Sequence, residues 1–217
     1  MSVEPPGPVA SSWMAKPVDA IPTGALSRLR AEAAGCRACP LWRPATQTVF
    51  GRGRAAARLV LIGEQPGDRE DLAGAPFVGP AGQLLRETLA QVGIDAASVY
   101  FTNAVKHFKF VPRGKRRLHQ RANAAEQAAC RPWLAAELAR IAPEVVVALG
   151  AMAAQTLFGN AFRVTAQRGV WQTLPNARPA LATWHPAALL RMRSPERAQA
   201  ERQFAEDLAR VADRLAH

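Results

Sequence analysis

The sequence contains little cysteine and no long apolar run. Only three of its 217 residues are cysteine, and two of these form Cys36-x-x-Cys39. An odd number of cysteines in this spacing argues against a disulfide framework and favours a metal or redox site in a reducing compartment. No apolar stretch is long enough to span a bilayer, and the first residues lack the cationic start and apolar centre of a signal peptide. We therefore predict a cytoplasmic protein that does not enter a membrane.

Acidic residues are also few relative to basic ones. Lys and Arg together number 28 against 17 Asp and Glu, which gives a formal net charge of +11. A positive charge of this size is typical of proteins that bind a polyanion, so nucleic acid is the first partner to consider. A genome rich in G and C would favour the same Ala- and Arg-rich composition, so charge alone does not prove DNA binding.

The chain is predicted to form one domain behind a short arm. Residues 1–24 are rich in Pro, Ser and Gly without an apolar period, which indicates a flexible N-terminal arm. Residues 25–217 are sufficient for one buried core, and we expect a monomer. Short apolar runs predict strands at 58–63, 98–105, 144–150 and 180–184, and helical patterns lie near 79–92, 123–141, 151–158 and 195–216. This alternation predicts an α/β fold in which helices cover both faces of a parallel sheet.

Polar side chains follow these strands where a parallel sheet binds its ligands. Glu64 and Gln65 come directly after the first strand, Asn103 falls at the end of the second and His185 follows the fourth. An amide reads a base edge, a histidine acts on developing negative charge, and Phe77 offers a face for stacking. These residues predict a pocket for a base. The loop after the first strand lacks the Gly-Lys-Ser/Thr ending of a P-loop, which excludes a triphosphate site of that kind.

Residues 111–121, "VPRGKRRLHQR", form the most basic stretch of the chain and contain one histidine, His119. A run of cations is ordinarily a solvated loop, and we predict a loop here. Its arginines and lysine would contact the phosphates of a nucleic acid.

Four motifs closely resemble those of the uracil-DNA glycosylase superfamily: "GEQPG", "PFVGPAG", "YFTNAVKHF" and "WHPAALLR". Gln65 and the segment "GKRRLH" resemble more closely the DNA-crosslinking UdgX-type branch, which is related to the iron–sulfur uracil-DNA glycosylases. The resemblance implies a three-layer α/β/α sandwich with a central four-stranded parallel sheet, which binds DNA with a uracil flipped out of the stack.

The resemblance also implies a role for each pocket residue. Phe77 would stack on uracil, Asn103 would bond its edge, and His185 would donate to the O2 atom as the base leaves. Glu64 and Gln65 would line the sugar and C5 side. Related proteins often have Ser where this chain has Ala187, which removes a hydroxyl that could bond DNA, and we expect Arg191 to take over part of that contact.

The three cysteines leave a four-coordinate metal site one ligand short. Cys36, Cys39 and Cys130 could be completed by a carboxylate or a histidine. In the related iron–sulfur glycosylases a cysteine occupies the position of His107, so the resemblance implies a [4Fe–4S] cluster held by the three cysteines and His107. A tetrahedral zinc ion with the same ligands is the alternative, and either would be structural.

Three functions remain open at this point. In the first, the protein excises uracil, with single-stranded DNA favoured, and the neutral His119 then attacks C1′ of the deoxyribose to give a covalent, single-turnover adduct. Arg113, Lys115, Arg116 and Arg117 would hold the phosphates. In the second, water completes an ordinary glycosylase reaction and the basic segment only binds DNA. The third is a noncatalytic, metal-stabilised nucleic-acid-binding module.

Overall fold

The computed structural model describes residues 23–217, so all but the last two residues of the predicted arm lie outside the described part. Seven strands are present: β1 (Leu59–Gly63), β2 (Tyr100–Asn103), β3 (Phe110–Arg113), β4 (Arg116–His119), β5 (Val145–Leu149), β6 (Gln172–Thr173) and β7 (Pro179–Thr183). Eight α-helices accompany them: α1 (Leu26–Ala34), α2 (Asp68–Ala73), α3 (Pro80–Gln91), α4 (Ala124–Ile141), α5 (Gly150–Phe158), α6 (Val164–Gln167), α7 (Pro186–Leu189) and α8 (Glu196–Ala216). Among these residues no helix is long and apolar enough to cross a membrane.

The central sheet has the strand order β2-β1-β5-β7-β6. The first four strands run parallel and β6 pairs antiparallel with β7 at the edge. The predicted α/β fold and its four parallel strands are confirmed, and the sheet is one strand wider than predicted. Because β6 has only two residues, Gln172 and Thr173, it carries none of the apolar pattern from which the other strands were predicted.

Helices cover both faces of the sheet because successive strand residues point to opposite sides. Val60 and Ile62 pack in one buried cluster with α4 and α5, whereas Leu59 and Leu61 pack in another with α3 and α8. All five residues of β1 are buried. This two-sided burial accounts for the continuous apolar runs in the strands.

The prediction of a loop at residues 111–121 is wrong, because residues 110–119 form an antiparallel hairpin of β3 and β4. Its register pairs Phe110 with His119, and Gly114 and Lys115 form the turn. Arg117 holds the hairpin against the domain: its guanidinium lies 5.3 Å and 5.1 Å from the ring centroids of Phe108 and Phe110. The hairpin escapes sequence prediction because its strands are short, basic and largely exposed.

A polar network is buried beneath the end of β2. Lys106 Nζ donates to Glu137 Oε2 at 2.5 Å, to Thr102 Oγ1 at 2.7 Å and to the Asn103 carbonyl at 2.7 Å. Glu137 also accepts from the Tyr100 hydroxyl at 2.9 Å, the Thr102 hydroxyl at 2.8 Å and the backbone N–H of residue 51 at 2.8 Å. Burial, aided by the Glu137 carboxylate, raises the pKa of Tyr100, which keeps this hydroxyl protonated. The network therefore satisfies a charged pair in the core.

Candidate active site

A cavity of about 570 Å³ opens at the carboxyl ends of the parallel strands. Its lining includes every residue predicted to bind or act on a base, together with Arg191: Glu64, Gln65, Phe77, Asn103, His119, His185 and Arg191. The parallel topology explains this convergence, because the segments that follow β1, β2 and β7 meet at one edge of the sheet.

Phe77 forms an aromatic wall of the cavity. It is 4% exposed, and its ring centroid lies 6.2 Å from that of His185, with 27° between the ring planes. Gly63, the last residue of β1, makes room for this ring, because a Cβ at Gly63 would come within 2.7 Å of Phe77 Cζ. Phe77 thus offers a partly covered face on which a planar base can stack.

Asn103 contributes a side chain with free bonding capacity. It is 3% exposed, and within residues 23–217 its side-chain amide has no hydrogen-bond partner. Its main-chain carbonyl, in contrast, is held by Lys106 Nζ. A fixed backbone with an unpaired amide can present one donor and one acceptor to the edge of a base.

The hydrogen bonding of His185 determines its tautomer. The backbone N–H of Ala187 donates to His185 Nδ1 at 3.1 Å, so in the neutral ring the proton lies on Nε2. Burial, with smaller contributions from the nearby Arg191 and His119, lowers the pKa of His185 to about 4. At neutral pH His185 is therefore an uncharged imidazole with an N–H available to an oxygen that gains negative charge.

His119, at the end of β4, lies on the wall of the same cavity as Glu64. The residue is exposed overall, but partial desolvation of the ring by surrounding atoms lowers the pKa of His119. The Glu64 carboxylate opposes this effect, and Arg191 adds to it. The imidazole is consequently neutral, and thus nucleophilic, at neutral pH.

Gln65 connects the cavity to the hairpin. Its Nε2 donates to the carbonyls of Lys109, at 3.2 Å, and Gln120, at 3.0 Å, the residues that flank β3 and β4. Within residues 23–217 the buried Gln65 Oε1 has no partner. Gln65 therefore holds both ends of the segment that carries His119, in addition to lining the pocket.

The cations predicted to bind DNA divide into two groups. Arg113, Lys115 and Arg116 are exposed at the hairpin tip, and Arg191 is exposed at the cavity. Arg117 is instead paired with Asp68, at 2.5 Å, and with the buried Asp71, at 2.6 Å. Arg117 therefore holds the hairpin to the domain, and a phosphate contact by Arg117 stays a prediction, in which the phosphate competes with both carboxylates for the guanidinium.

The predicted metal ligands lie in one neighbourhood beside α1 and α4. Cys130 Sγ accepts from the backbone N–H of Lys106 at 3.2 Å, and Cys36 Sγ accepts from Trp133 Nε1 at 3.2 Å. Burial raises the pKa of the Cys39 thiol, and Cys36 contributes to that rise; burial likewise raises the pKa of Cys130, with contributions from Cys39 and Cys36. His107 follows Lys106 in the chain and is 4% exposed.

The two ring nitrogens of His107 differ in their hydrogen bonding. Its Nε2 shares a hydrogen bond with Thr48 Oγ1 at 2.9 Å, and within residues 23–217 the buried Nδ1 has no partner. Burial lowers the pKa of His107 and so favours the neutral ring that a metal requires. Three thiols and an imidazole fit an iron–sulfur cluster or zinc by donor type. In the described part of the chain, however, no three His, Cys, Asp or Glu side chains are grouped closely enough to hold a metal ion.

Comparison with known proteins identifies the family. The sequence model described as "Uracil DNA glycosylase superfamily" matches residues 50–209. The chain belongs to the uracil-DNA glycosylase superfamily. The match includes all the cavity residues predicted from sequence, together with His107 and Cys130, and begins after Cys36 and Cys39.

Three curated relatives illustrate the similarity, each named type-4 uracil-DNA glycosylase. The Thermotoga maritima protein is 41% identical over 162 residues, which cover 74% of this chain and 81% of the relative. The Archaeoglobus fulgidus protein is 34% identical over 191 residues, 84% and 89% of the two chains. The Sulfurisphaera tokodaii protein is 33% identical over 173 residues, 76% of each.

Sequence reasoning missed several residues that shape this superfamily site. Asp71 is fully buried and accepts from the Thr46 backbone N–H at 3.0 Å. Arg86 donates to the Phe77 carbonyl, and Glu137 accepts from Lys106. These partners are far apart in sequence and belong to no motif, so nothing in the sequence indicated the pairings. Glu70 caps α2, since it accepts from the N–H of residue 67 at the start of that helix.

Proposed function

We propose that this protein removes uracil from DNA. The observation that carries the proposal is one cavity that combines the Phe77 ring, the unpaired Asn103 amide and a neutral His185 with its proton on Nε2. A noncatalytic module that binds only the nucleic-acid backbone would need neither Asn103 nor His185. The three relatives are named as uracil-DNA glycosylases, which supports the same activity.

The chemistry follows from the charges that develop. Breaking the bond between C1′ and N1 leaves positive charge on the sugar and sends the electron pair to uracil as an anion. His185 Nε2–H and the Asn103 amide would bond the anion, and the Glu64 carboxylate would stabilise the sugar cation. Water would then add to C1′ and lose a proton to give an abasic site.

The comparisons favour this ordinary glycosylase over the UdgX-type reaction expected from the "GKRRLH" segment. The three relatives carry the type-4 name, and nothing in their names refers to covalent capture of DNA. Hydrolysis is therefore our first candidate for the fate of the sugar.

Covalent capture is a second candidate because of one specific observation: His119 lines the cavity that contains Glu64 and His185. Once uracil has left, the unprotonated ring nitrogen of neutral His119 would bond C1′ in place of water, which gives a positively charged ring. Loss of the proton from the other ring nitrogen would then restore a neutral imidazole. The step needs no further reactant. It would make the enzyme single-turnover, as in the UdgX-type branch.

A [4Fe–4S] cluster would be held by Cys36, Cys39, His107 and Cys130, with zinc as the alternative. When bound, the metal group would link the chain segments before β1, after β2 and on α4. Burial raises the pKa of the Cys130 thiol to about 12, so metal binding must displace its proton. Iron and sulfide in stoichiometric amounts in brown, anaerobically purified protein would support the cluster, whereas colourless protein with one zinc would exclude it.

Uracil-containing DNA, preferably single-stranded, is the proposed partner, and residues 25–217 are proposed to act as a monomeric domain. Arg113, Lys115, Arg116 and Arg191 are exposed for contact with phosphates. Each phosphate contact releases counterions, so affinity should fall steeply with added salt.

One experiment tests these proposals together. A single-stranded uracil oligonucleotide is incubated with the parent protein, His119→Ala and His185→Ala, and free uracil and the products on a denaturing gel are measured. Uracil release with abasic DNA and no protein–DNA band supports hydrolysis. A band that is lost in His119→Ala supports capture. Absence of uracil release from the parent contradicts the proposed activity.

A further inference from the structure

The backbone of Phe77 has an unfavourable conformation. Its φ is 56°, in the left-handed region that bulky side chains rarely adopt. Such conformations persist only where the surrounding structure enforces them, and they are found at functional sites. The question is therefore which residues hold Phe77 in place.

Helix α3 supplies the restraint. A Cβ at Gly82 would overlap the Phe77 carbonyl, so the first turn of α3 packs directly on this peptide group. One turn further along, Arg86 Nη2 donates to the same carbonyl oxygen at 2.7 Å. This short bond joins Arg86, which is otherwise exposed to solvent, to Phe77 on the cavity wall.

Arg86 also contacts the ring that supports Phe77. Its guanidinium carbon lies 6.0 Å from the ring centroid of Phe101, and the Phe101 ring is tilted against Phe77 with 5.9 Å between centroids. One side chain thus restrains the Phe77 backbone and packs on the neighbouring ring.

We infer that Arg86 is a positioning residue, which holds the Phe77 ring in the orientation needed to stack on the flipped base. The inference rests on the proposed function, in which Phe77 stacks on uracil. Without Arg86, the Phe77 peptide loses its partner and the residue is free to relax to negative φ, which turns the ring away from the cavity. The loss should fall on base binding and not on folding.

The test uses Arg86→Met, which keeps an unbranched helix-forming stem and removes the donor. We expect kcat/KM for a uracil oligonucleotide to fall on the order of tenfold, the size of a lost base–aromatic stack. Arg86→Lys should recover part of the loss. In a Phe77→Leu background, where no ring remains to be positioned, Arg86→Met should have little further effect.

Arg178→Met is the matched control, because Arg178 Nη1 also donates to a backbone carbonyl, that of Leu138 at 3.2 Å, but precedes β7 at the opposite end of the sheet. It should retain parental kcat/KM. Additive losses in the Phe77→Leu background, or full activity of Arg86→Met, would overturn the inference.

A readout without substrate separates this inference from the proposed function. With 4-fluorophenylalanine at position 77, the fluorine NMR signal should shift or broaden in Arg86→Met and stay unchanged in Arg178→Met. If the parent releases no uracil, the proposed function fails while the NMR result still decides whether Arg86 positions the ring. An unchanged signal in Arg86→Met shows that it does not.

Discussion

Two polar clusters meet at the end of β2, and they differ in whether their hydrogen bonds are filled. Thr102 belongs to the network of Lys106 and Glu137, in which both charges are paired and at most 1% of either side chain is exposed. Asn103, the next residue, points the other way, and its amide has no partner within residues 23–217. Buried polar groups in native proteins are normally satisfied, so unfilled capacity beside a cavity indicates a ligand. The closed cluster pairs its charges within the fold, whereas the open one has the hydrogen-bonding capacity that our proposal assigns to base recognition.

The largest expected effect comes from opening the closed cluster. Lys106→Met leaves the buried Glu137 carboxylate without its cation, and we expect unfolding free energy to fall by about 3–5 kcal/mol. Denaturant unfolding, at matched metal content, measures this. Adding Glu137→Gln to Lys106→Met should restore part of the loss. A change below about 1 kcal/mol would show that the pair does not stabilise the fold.

A pair of asparagines compares the two kinds of site directly. Asn103→Ala should lower kcat about 100-fold or more, because a donor to the developing anion is lost, with little change in stability. Asn123 instead caps α4 by accepting from the Glu126 backbone N–H at 2.9 Å. Asn123→Ala should cost about 1 kcal/mol of stability and leave kcat unchanged. The opposite pattern would contradict the assignment of Asn103.

The ion pair between Arg117 and Asp71 should have an intermediate effect. Within residues 23–217, Arg117→Ala leaves the buried Asp71 carboxylate with the Thr46 backbone N–H as its one donor, and we expect a stability loss of about 1–3 kcal/mol. The hairpin should become more accessible to proteases, and any covalent capture by His119 should fall more than uracil release. The stability losses from Arg117→Ala and Asp71→Asn should be less than additive in the double variant. Additive losses would show that another contact is the main restraint on the hairpin.

The pH dependence of His185 has no effect on stability at neutral pH and appears only in acid. Its pKa of about 4 lies below the ordinary value of about 6.5 for an unfolded histidine. Between these two pH values His185 is protonated in the unfolded chain and neutral in the folded protein. The His185 contribution to stability is complete above pH 6.5 and is lost as the pH falls towards 4. Denaturant midpoints across this range should fall less in His185→Gln than in the parent. Equal slopes would contradict a depressed pKa.

Features of the fold and the site could be predicted from the sequence where they depend on residues that are neighbours in the chain. Strands such as Leu59–Gly63 were predictable because burial on both faces requires an unbroken apolar run, and Asn103 and His185 were predictable as pocket residues because they follow such runs. The hairpin was not predictable, because Arg117 holds it to the domain through contacts with Phe108, Asp68 and Asp71, which are not local in the sequence. Arg86 was missed for the same reason, since its partner is a backbone carbonyl that any residue provides.

The ends of the hairpin lie close together, and this makes it a separable part. Lys109 and Gln120 are joined by a backbone hydrogen bond of 2.9 Å, and Gln65 bonds both of their carbonyls. A short connection could therefore replace residues 110–119, provided that the buried Asp71, which loses Arg117 in the exchange, is also replaced by a neutral residue. Under the proposed role of His119, exchanging this segment would change the fate of the abasic sugar without replacing any residue that we propose to recognise the base.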